Sequence, residues 1–300
     1  MNLHGIFPAV TTPFASDGSV WLPRLRDNIL RYNETRVAGY VVNGSTGESV
    51  LLRWDEVERV WGIVKESAAP GKILIAGTAA ESTAETIEHT NRAASLGYDA
   101  ALVRTPHYFK PQMTPDALAE FYLRVADAAR IPVLVYSVPI YTQLKLEAPV
   151  VARAAKHPNI IGMKDSSGDL QGVTEIMAAT PKEFQMLVGS ASTLHESLER
   201  GAAGAILAVA CAFPEICVEV YEASRAGNSA HAAFLQQKLA AAASLFGPKH
   251  GIAGVKYTMD RLGYHGGPPR PPLLPLDAAA QREIDAMLAS VASEPVAAQR

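Results

Sequence analysis

The 300-residue sequence contains two cysteines, Cys211 and Cys217, six positions apart. They make neither a zinc-ligand pattern nor a disulfide framework, and so few thiols suit a reducing compartment. An excess of one charge is also missing: 27 Lys and Arg stand against 30 Asp and Glu, a formal net charge of −3. Nothing in that balance invites nucleic acid or an anionic membrane as partner. No uninterrupted apolar run is long enough to span a bilayer. No charged region followed by an apolar leader precedes the first strand-like run, so no secretory signal is expected and the cytoplasm is the expected location. What is abundant is apolar residue, 48% against 19% charged. That suffices for a large packed core, in one barrel-sized unit or in two domains.

Apolar runs too short for helices alternate with stretches of helical spacing. Strands are expected at 5–10, 39–42, 72–77, 100–105, 132–136, 160–163, 184–188 and 205–209. Helices are expected at 22–36, 54–68, 82–96, 114–129, 148–156, 193–200 and 214–225, and a loop and a new helix follow Lys164. Unalternating apolar strands suit a parallel sheet covered on both faces. About eight strand–helix units match a closed (β/α)8 TIM barrel. An open doubly wound sheet is the alternative, because periodicity does not show closure. Beyond residue 227 the strands stop and helices are expected at 231–246, 252–262 and 277–291, with the Gly266–Pro272 stretch as a rigid connector. The division is therefore 1–226 for the barrel and 227–300 for a C-terminal helical extension.

Barrel chemistry sits at the C-terminal ends of the strands. There the sequence places Thr11, Thr12, Ser45, Thr46, Thr78, Thr105 to Tyr108, Tyr136, Lys164, Gly189, Ser190 and Ala210. Hydroxyls and phenols dominate, with one lysine and no Asp, Glu and His cluster of the kind that holds a metal. Lys164 admits two readings. It marks where a strand reaches water, or it is a desolvated, neutral amine, which is a nucleophile toward ketones. A Schiff-base mechanism also needs an acid/base, and Tyr136 at the neighbouring strand end can serve. It needs donors for a carboxylate, which the amides and hydroxyls of Gly44-Ser45-Thr46-Gly47 can supply. Each residue keeps a plainer reading: Tyr136 as a rim aromatic, Ser45 and Thr46 as turn formers, His107 and Tyr108 as exposed loop residues. Glu48 reads as a cap or an ion-pair partner rather than a catalytic group.

Gly44-Ser45-Thr46-Gly47-Glu48, Tyr136-Ser137-Val138-Pro139 and Gly162-Met163-Lys164-Asp165-Ser166 resemble the signature segments of the class I pyruvate aldolases. That superfamily includes dihydrodipicolinate synthase, N-acetylneuraminate lyase and 4-hydroxy-2-oxoglutarate aldolase. The resemblance extends to the 251–256 and 263–268 segments near the C-terminus. It implies a (β/α)8 barrel with a helical extension, assembled as a homotetramer from two dimers, and chemistry that needs no metal or organic cofactor. It implies that Lys164 forms an imine with the keto carbon of pyruvate or a related 2-keto acid, and that Tyr136 shuttles protons. Ser45 and Thr46, with Gly44 in the same loop, would hold the carboxylate. The Thr46 hydroxyl would relay protons between Tyr136 and a tyrosine of a neighbouring subunit, a position that Tyr108 occupies. The backbone of Ile206 would face the pyruvyl group, and Ser166 would line the substrate site.

One departure bears on the second substrate. Dihydrodipicolinate synthases typically carry an arginine two residues after the proline of the Tyr-x-Val-Pro segment; here Tyr141 stands there. A tyrosine cannot replace a bidentate arginine on a carboxylate. The Tyr136-Ser137-Val138-Pro139 spelling and the C-terminal segments look closer to the 4-hydroxy-2-oxoglutarate aldolases. The expected reaction is therefore cleavage of 4-hydroxy-2-oxoglutarate to pyruvate and the aldehyde glyoxylate, with Tyr141 beside the aldehyde. The alternatives are condensation of pyruvate with aspartate semialdehyde, a sugar-acid dehydratase or aldolase, and a non-catalytic keto acid-binding regulator.

Overall fold

Short apolar runs need both faces covered, and in this chain they become the staves of a barrel, packed against helices outside and against one another inside. The computed structural model describes residues 1–293. Its strands are β1 (Gly5–Pro8), β2 (Gly39–Val42), β3 (Ile73–Gly77), β4 (Ala100–Arg104), β5 (Val133–Ser137), β6 (Ile160–Asp165), β7 (Gln185–Val188) and β8 (Gly204–Leu207). All pair in parallel, each with its sequence neighbours, and β1 pairs β8. A parallel bridge between Ala9 and Val41, with Val10 N–H donating to the Val41 carbonyl at 2.9 Å, joins β1 to β2 and closes the ring. The strand order never reverses, so the switch point of an open doubly wound sheet does not exist here.

The covering helices are α1 (Leu22–Asn33), α2 (Trp54–Ser67), α3 (Thr83–Ser95), α4 (Pro115–Ala128), α5 (Pro139–Thr142), α6 (Ala148–Ala154), α7 (Leu170–Ala179), α8 (Leu194–Glu199) and α9 (Pro214–Arg225). Ser82, Thr114 and Asp169 cap their helices with side-chain oxygens that accept from backbone amides. The barrel has two cores. Phe7, Val41, Leu102, Leu134, Leu187 and Ile206 fill its inside, while Val42, Val103, Val135, Met163 and Val188 face the helices. After the barrel come α10 (Ser229–Ser244), a π-helical turn at Leu245–Lys249, α11 (Gly251–Arg261) and α12 (Ala278–Ser293). Residues 294–300 of the expected extension lie outside the described residues.

Two elements differ from the sequence reading. The β6 strand continues through Lys164 to Asp165, so the lysine sits within the sheet, not past its end. The short α5 was not foreseen. Pro139 starts it and Gln143, with φ of 56°, stops it after one turn.

Candidate active site

Lys164 and Tyr136 meet because of a slip in strand register. Val133 lies opposite Ile160, but Leu134 lies opposite Gly162, so β6 carries one extra residue at this step. Every later pair moves by one, and Tyr136 comes to face Lys164 instead of Met163. A one-residue slip sends a side chain to the other face of a sheet, so this bulge puts lysine and tyrosine on the same inner face. Gly162 permits it, since a Cβ there would lie 2.4 Å from the Gln185 carbonyl oxygen.

Lys164 is 5% exposed, and its Nζ lies 4.5 Å from the centroid of the Tyr136 ring. Among the described residues no carboxylate comes within 4.0 Å of that nitrogen. Asp165, next in sequence, points to the opposite face and accepts from the Ser167 amide at 2.9 Å. Burial pushes its carboxyl above the usual range, opposed by the hydrogen bonds from Ser167. Lys256, on α11, offers a contrast: it is fully buried, but its Nζ lies 2.5 Å from Glu48. Burial pushes the Lys256 amine below its usual range and Glu48 opposes that shift, so Lys256 is committed to its partner, whereas no carboxylate of the described residues competes with a substrate for Lys164. Gly189, just past β7, gives Lys164 its path. A Cβ there would lie 2.0 Å from Ser166 Oγ and 2.9 Å from Lys164 Cε.

The loop after β2 brings hydroxyls to the same point. Asn43 and Glu48 bracket it with φ of 58° and 57°. Within it Gly47 N–H donates to the Gly44 carbonyl at 3.1 Å, and Glu48 N–H to the Ser45 carbonyl at 3.0 Å. Thr12 from the β1 loop donates to the Gly47 carbonyl at 2.7 Å. The turn sets Ser45 Oγ 3.4 Å from the Tyr136 hydroxyl.

A cavity of about 380 Å³ opens over these groups. Of the residues singled out from sequence, Ser45, Thr46, Tyr136, Tyr141, Lys164 and Ser166 line it. Gly44 is buried beneath the loop, and Ile206 is wholly buried inside the barrel, where Ala208 and Val209 are the lining residues of that segment. Tyr108 is 77% exposed and lines a different, larger cavity with His107 and Arg104. Tyr141 stands at the mouth. It is 54% exposed as a residue, yet its phenol is pushed up, first by burial and then by the neighbouring Tyr136.

Sequence reasoning missed one wall. Ala240, Ala243 and Ser244 of α10 and Phe246 of the π turn close the cavity, so the segment after the barrel helps build the site. Small residues along α10 were the only trace of this, and they also suit plain surface packing. Ser190 and Ser192, hydrogen-bonded to each other at 2.8 Å, line the opposite side. Among the described residues no group of three or more His, Cys, Asp or Glu could hold a metal, and no helix is long and apolar enough to cross a membrane.

Residues 2–291 match the sequence profile of the Dihydrodipicolinate synthetase family. The chain belongs to that family. The 4-hydroxy-tetrahydrodipicolinate synthase of Methanothrix thermoacetophila is 37% identical over 275 residues, 91% of this chain and 92% of that protein. The synthase of the same name from Rhizobium meliloti is 35% identical over 290 residues, 95% and 97% of the two chains. Among solved structures, the chloride-inhibited dihydrodipicolinate synthase from Acinetobacter baumannii complexed with pyruvate superposes with a TM-score of 0.93. It is 30% identical, with 97% of this chain and 99% of that one covered. This protein is thus a carbon–carbon lyase of the pyruvate-dependent class I aldolase type, on a (β/α)8 barrel. The relatives bear the synthase name, not that of the 4-hydroxy-2-oxoglutarate aldolase expected from the Tyr136–Pro139 segment.

Proposed function

We propose that the protein condenses pyruvate with aspartate semialdehyde through an imine on Lys164. The observation that carries the chemistry is the buried lysine, with no carboxylate partner among the described residues, above the ring of Tyr136, whose hydroxyl meets Ser45. The Lys164 amine attacks C2 of pyruvate, the carbinolamine loses water, and the imine nitrogen becomes an electron sink. Loss of a C3 proton gives the enamine, whose C3 attacks the aldehyde carbon while Tyr136 protonates the new alkoxide. Water adds back to the imine carbon, the C–N bond breaks, and the keto product leaves with the Lys164 amine regenerated. Ser45 and Thr46, on the loop that starts at Gly44, hold the carboxylate of pyruvate. Ser166 and the backbone near Ile206 complete the pyruvyl side. No metal or organic cofactor enters these steps.

The aldehyde assignment rests on the relatives named 4-hydroxy-tetrahydrodipicolinate synthase. Tyr141 favours a second reading, cleavage of 4-hydroxy-2-oxoglutarate to pyruvate and glyoxylate, because no arginine stands at that place to grip the carboxylate of aspartate semialdehyde. In either case the protein works in the cytoplasm as a dimer of dimers, with 1–226 as the catalytic barrel and 227–300 as its extension. The exposed Tyr108 then completes a neighbouring subunit's relay through Thr46. A kcat/KM comparison of the two substrates decides. A higher value for aspartate semialdehyde supports the synthase, and turnover of 4-hydroxy-2-oxoglutarate alone supports the aldolase. Pyruvate binding with turnover of neither overturns both and leaves a keto acid-binding regulator.

A further inference from the structure

Glu48 ends the hydroxyl-bearing turn, and its carboxylate is held from two directions. Lys256 Nζ lies 2.5 Å from Oε1, and the Arg270 backbone N–H donates to Oε2 at 2.8 Å. Lys256 in turn donates to the Pro268 carbonyl at 2.9 Å, and its nitrogen lies 4.3 Å from the centroid of the Phe14 ring. Both side chains of the pair are at most 1% exposed. The connector that brings Pro268 and Arg270 is pressed onto α11, since a Cβ at Gly266 would lie 2.0 Å from the Lys256 carbonyl oxygen. Glu48 itself is a non-glycine residue in the left-handed region, a conformation that persists only where surroundings enforce it. Its N–H donates to the carbonyl of Ser45, so the rotation of Glu48 and the aim of the Ser45 and Thr46 hydroxyls are one geometric variable.

We propose that Glu48 and Lys256 are positioning residues for the pyruvate carboxylate: their buried ion pair locks the turn that aims Ser45 and Thr46 into the cavity. The inference rests on the imine reading given above and deepens it. Neither residue lines the Lys164 cavity, so they act through the turn. Removing one partner leaves a charge buried without compensation, and the turn must move to hydrate it. A pair that served stability alone would lower the melting temperature and leave the pyruvate response of the folded enzyme as it was.

The test is the rate of borohydride trapping on Lys164 of the full chain as a function of pyruvate. It compares wild type with Glu48→Gln, Lys256→Met and the double variant, which buries no unpaired charge and so keeps the question open if a single variant does not fold. Half-saturating pyruvate is expected to rise about ten- to a hundredfold in each folded variant, while trapping at saturation stays within about threefold of wild type. Unchanged half-saturation in a folded variant, with wild type trapped normally, overturns this proposal alone. Absence of trapping in wild type overturns the imine reading and this proposal with it.

Discussion

Lys164 and Lys256 are both buried, but Glu48 pairs with the second and no carboxylate of the described residues with the first. In the proposed reading, that difference in partners separates a reagent from a strut. In the proposed mechanism Tyr136 has the other half of the chemistry: its hydroxyl is the group that Ser45 touches and its ring is the floor under the amine. Tyr136→Phe keeps the ring and removes the proton, so kcat should fall by about 10²–10⁴ with pyruvate trapping still directed to Lys164, as steady-state rates and peptide mapping would show. Gly189→Ala acts differently. The atoms its methyl would strike, Ser166 Oγ and Lys164 Cε, are side-chain atoms that can swing away without moving the backbone. The fold should survive with little change in Tm, while kcat/KM drops on the order of 10² because the amine is displaced. Sequence reading singled out Lys164 and Tyr136 because a lysine and a tyrosine ending apolar strands are chemically conspicuous. It could not weigh Lys256, because the partner that neutralises it stands 208 positions away in the chain, at Glu48.

At the scale of elements, the strands and most helices were legible because apolar runs and capping residues are local signals. Asp169 capping α7 and Thr114 capping α4 are examples. The bulge in β6 was not legible, since it depends on which residue of β5 lies opposite, yet it decides which face Lys164 takes. The connector after α11 was legible as a rigid segment but not in its role. Arg270 grips Glu56 of α2 with two bonds of 2.6 and 2.7 Å and also donates to the carbonyls of Leu51 and Gly18. The Arg270 hydrogen bonds hold the Glu56 carboxyl down to about 2, from an ordinary 4.5. Because the folded value is the lower one, this contact stabilises fully above the ordinary value and is lost as pH falls toward the folded one. Glu56→Gln should cost about 3 kcal/mol near neutral pH, the scale for breaking a buried pair. Calorimetry should find the gap to wild type constant above pH 4.5 and shrinking below it; a gap independent of pH would contradict the assignment.

At the scale of the whole molecule, closure of the barrel and the packing of α10 over its mouth make one cavity from segments far apart in sequence. Tyr108 remains outside it, largely exposed, so the proposed relay through Thr46 would need a second subunit. Mixed assemblies test this. Subunits carrying Lys164→Ala and subunits carrying Tyr108→Ala should each be impaired alone and should regain activity when co-assembled. The site of the Tyr108→Ala subunit then keeps its own lysine and receives an intact tyrosine. Mixtures as inactive as their parents would contradict a relay that crosses between subunits, and full activity of Tyr108→Ala alone would place Tyr108 outside the reaction.

The central claim is that Lys164 is the imine-forming amine. Its most direct measurement is mass spectrometry of the peptide that carries Lys164 after borohydride reduction in the presence of pyruvate. A reduced pyruvyl adduct on Lys164, absent without pyruvate and absent in Lys164→Ala, is the expected result. An unmodified Lys164, or an adduct on another lysine such as Lys256, would contradict it.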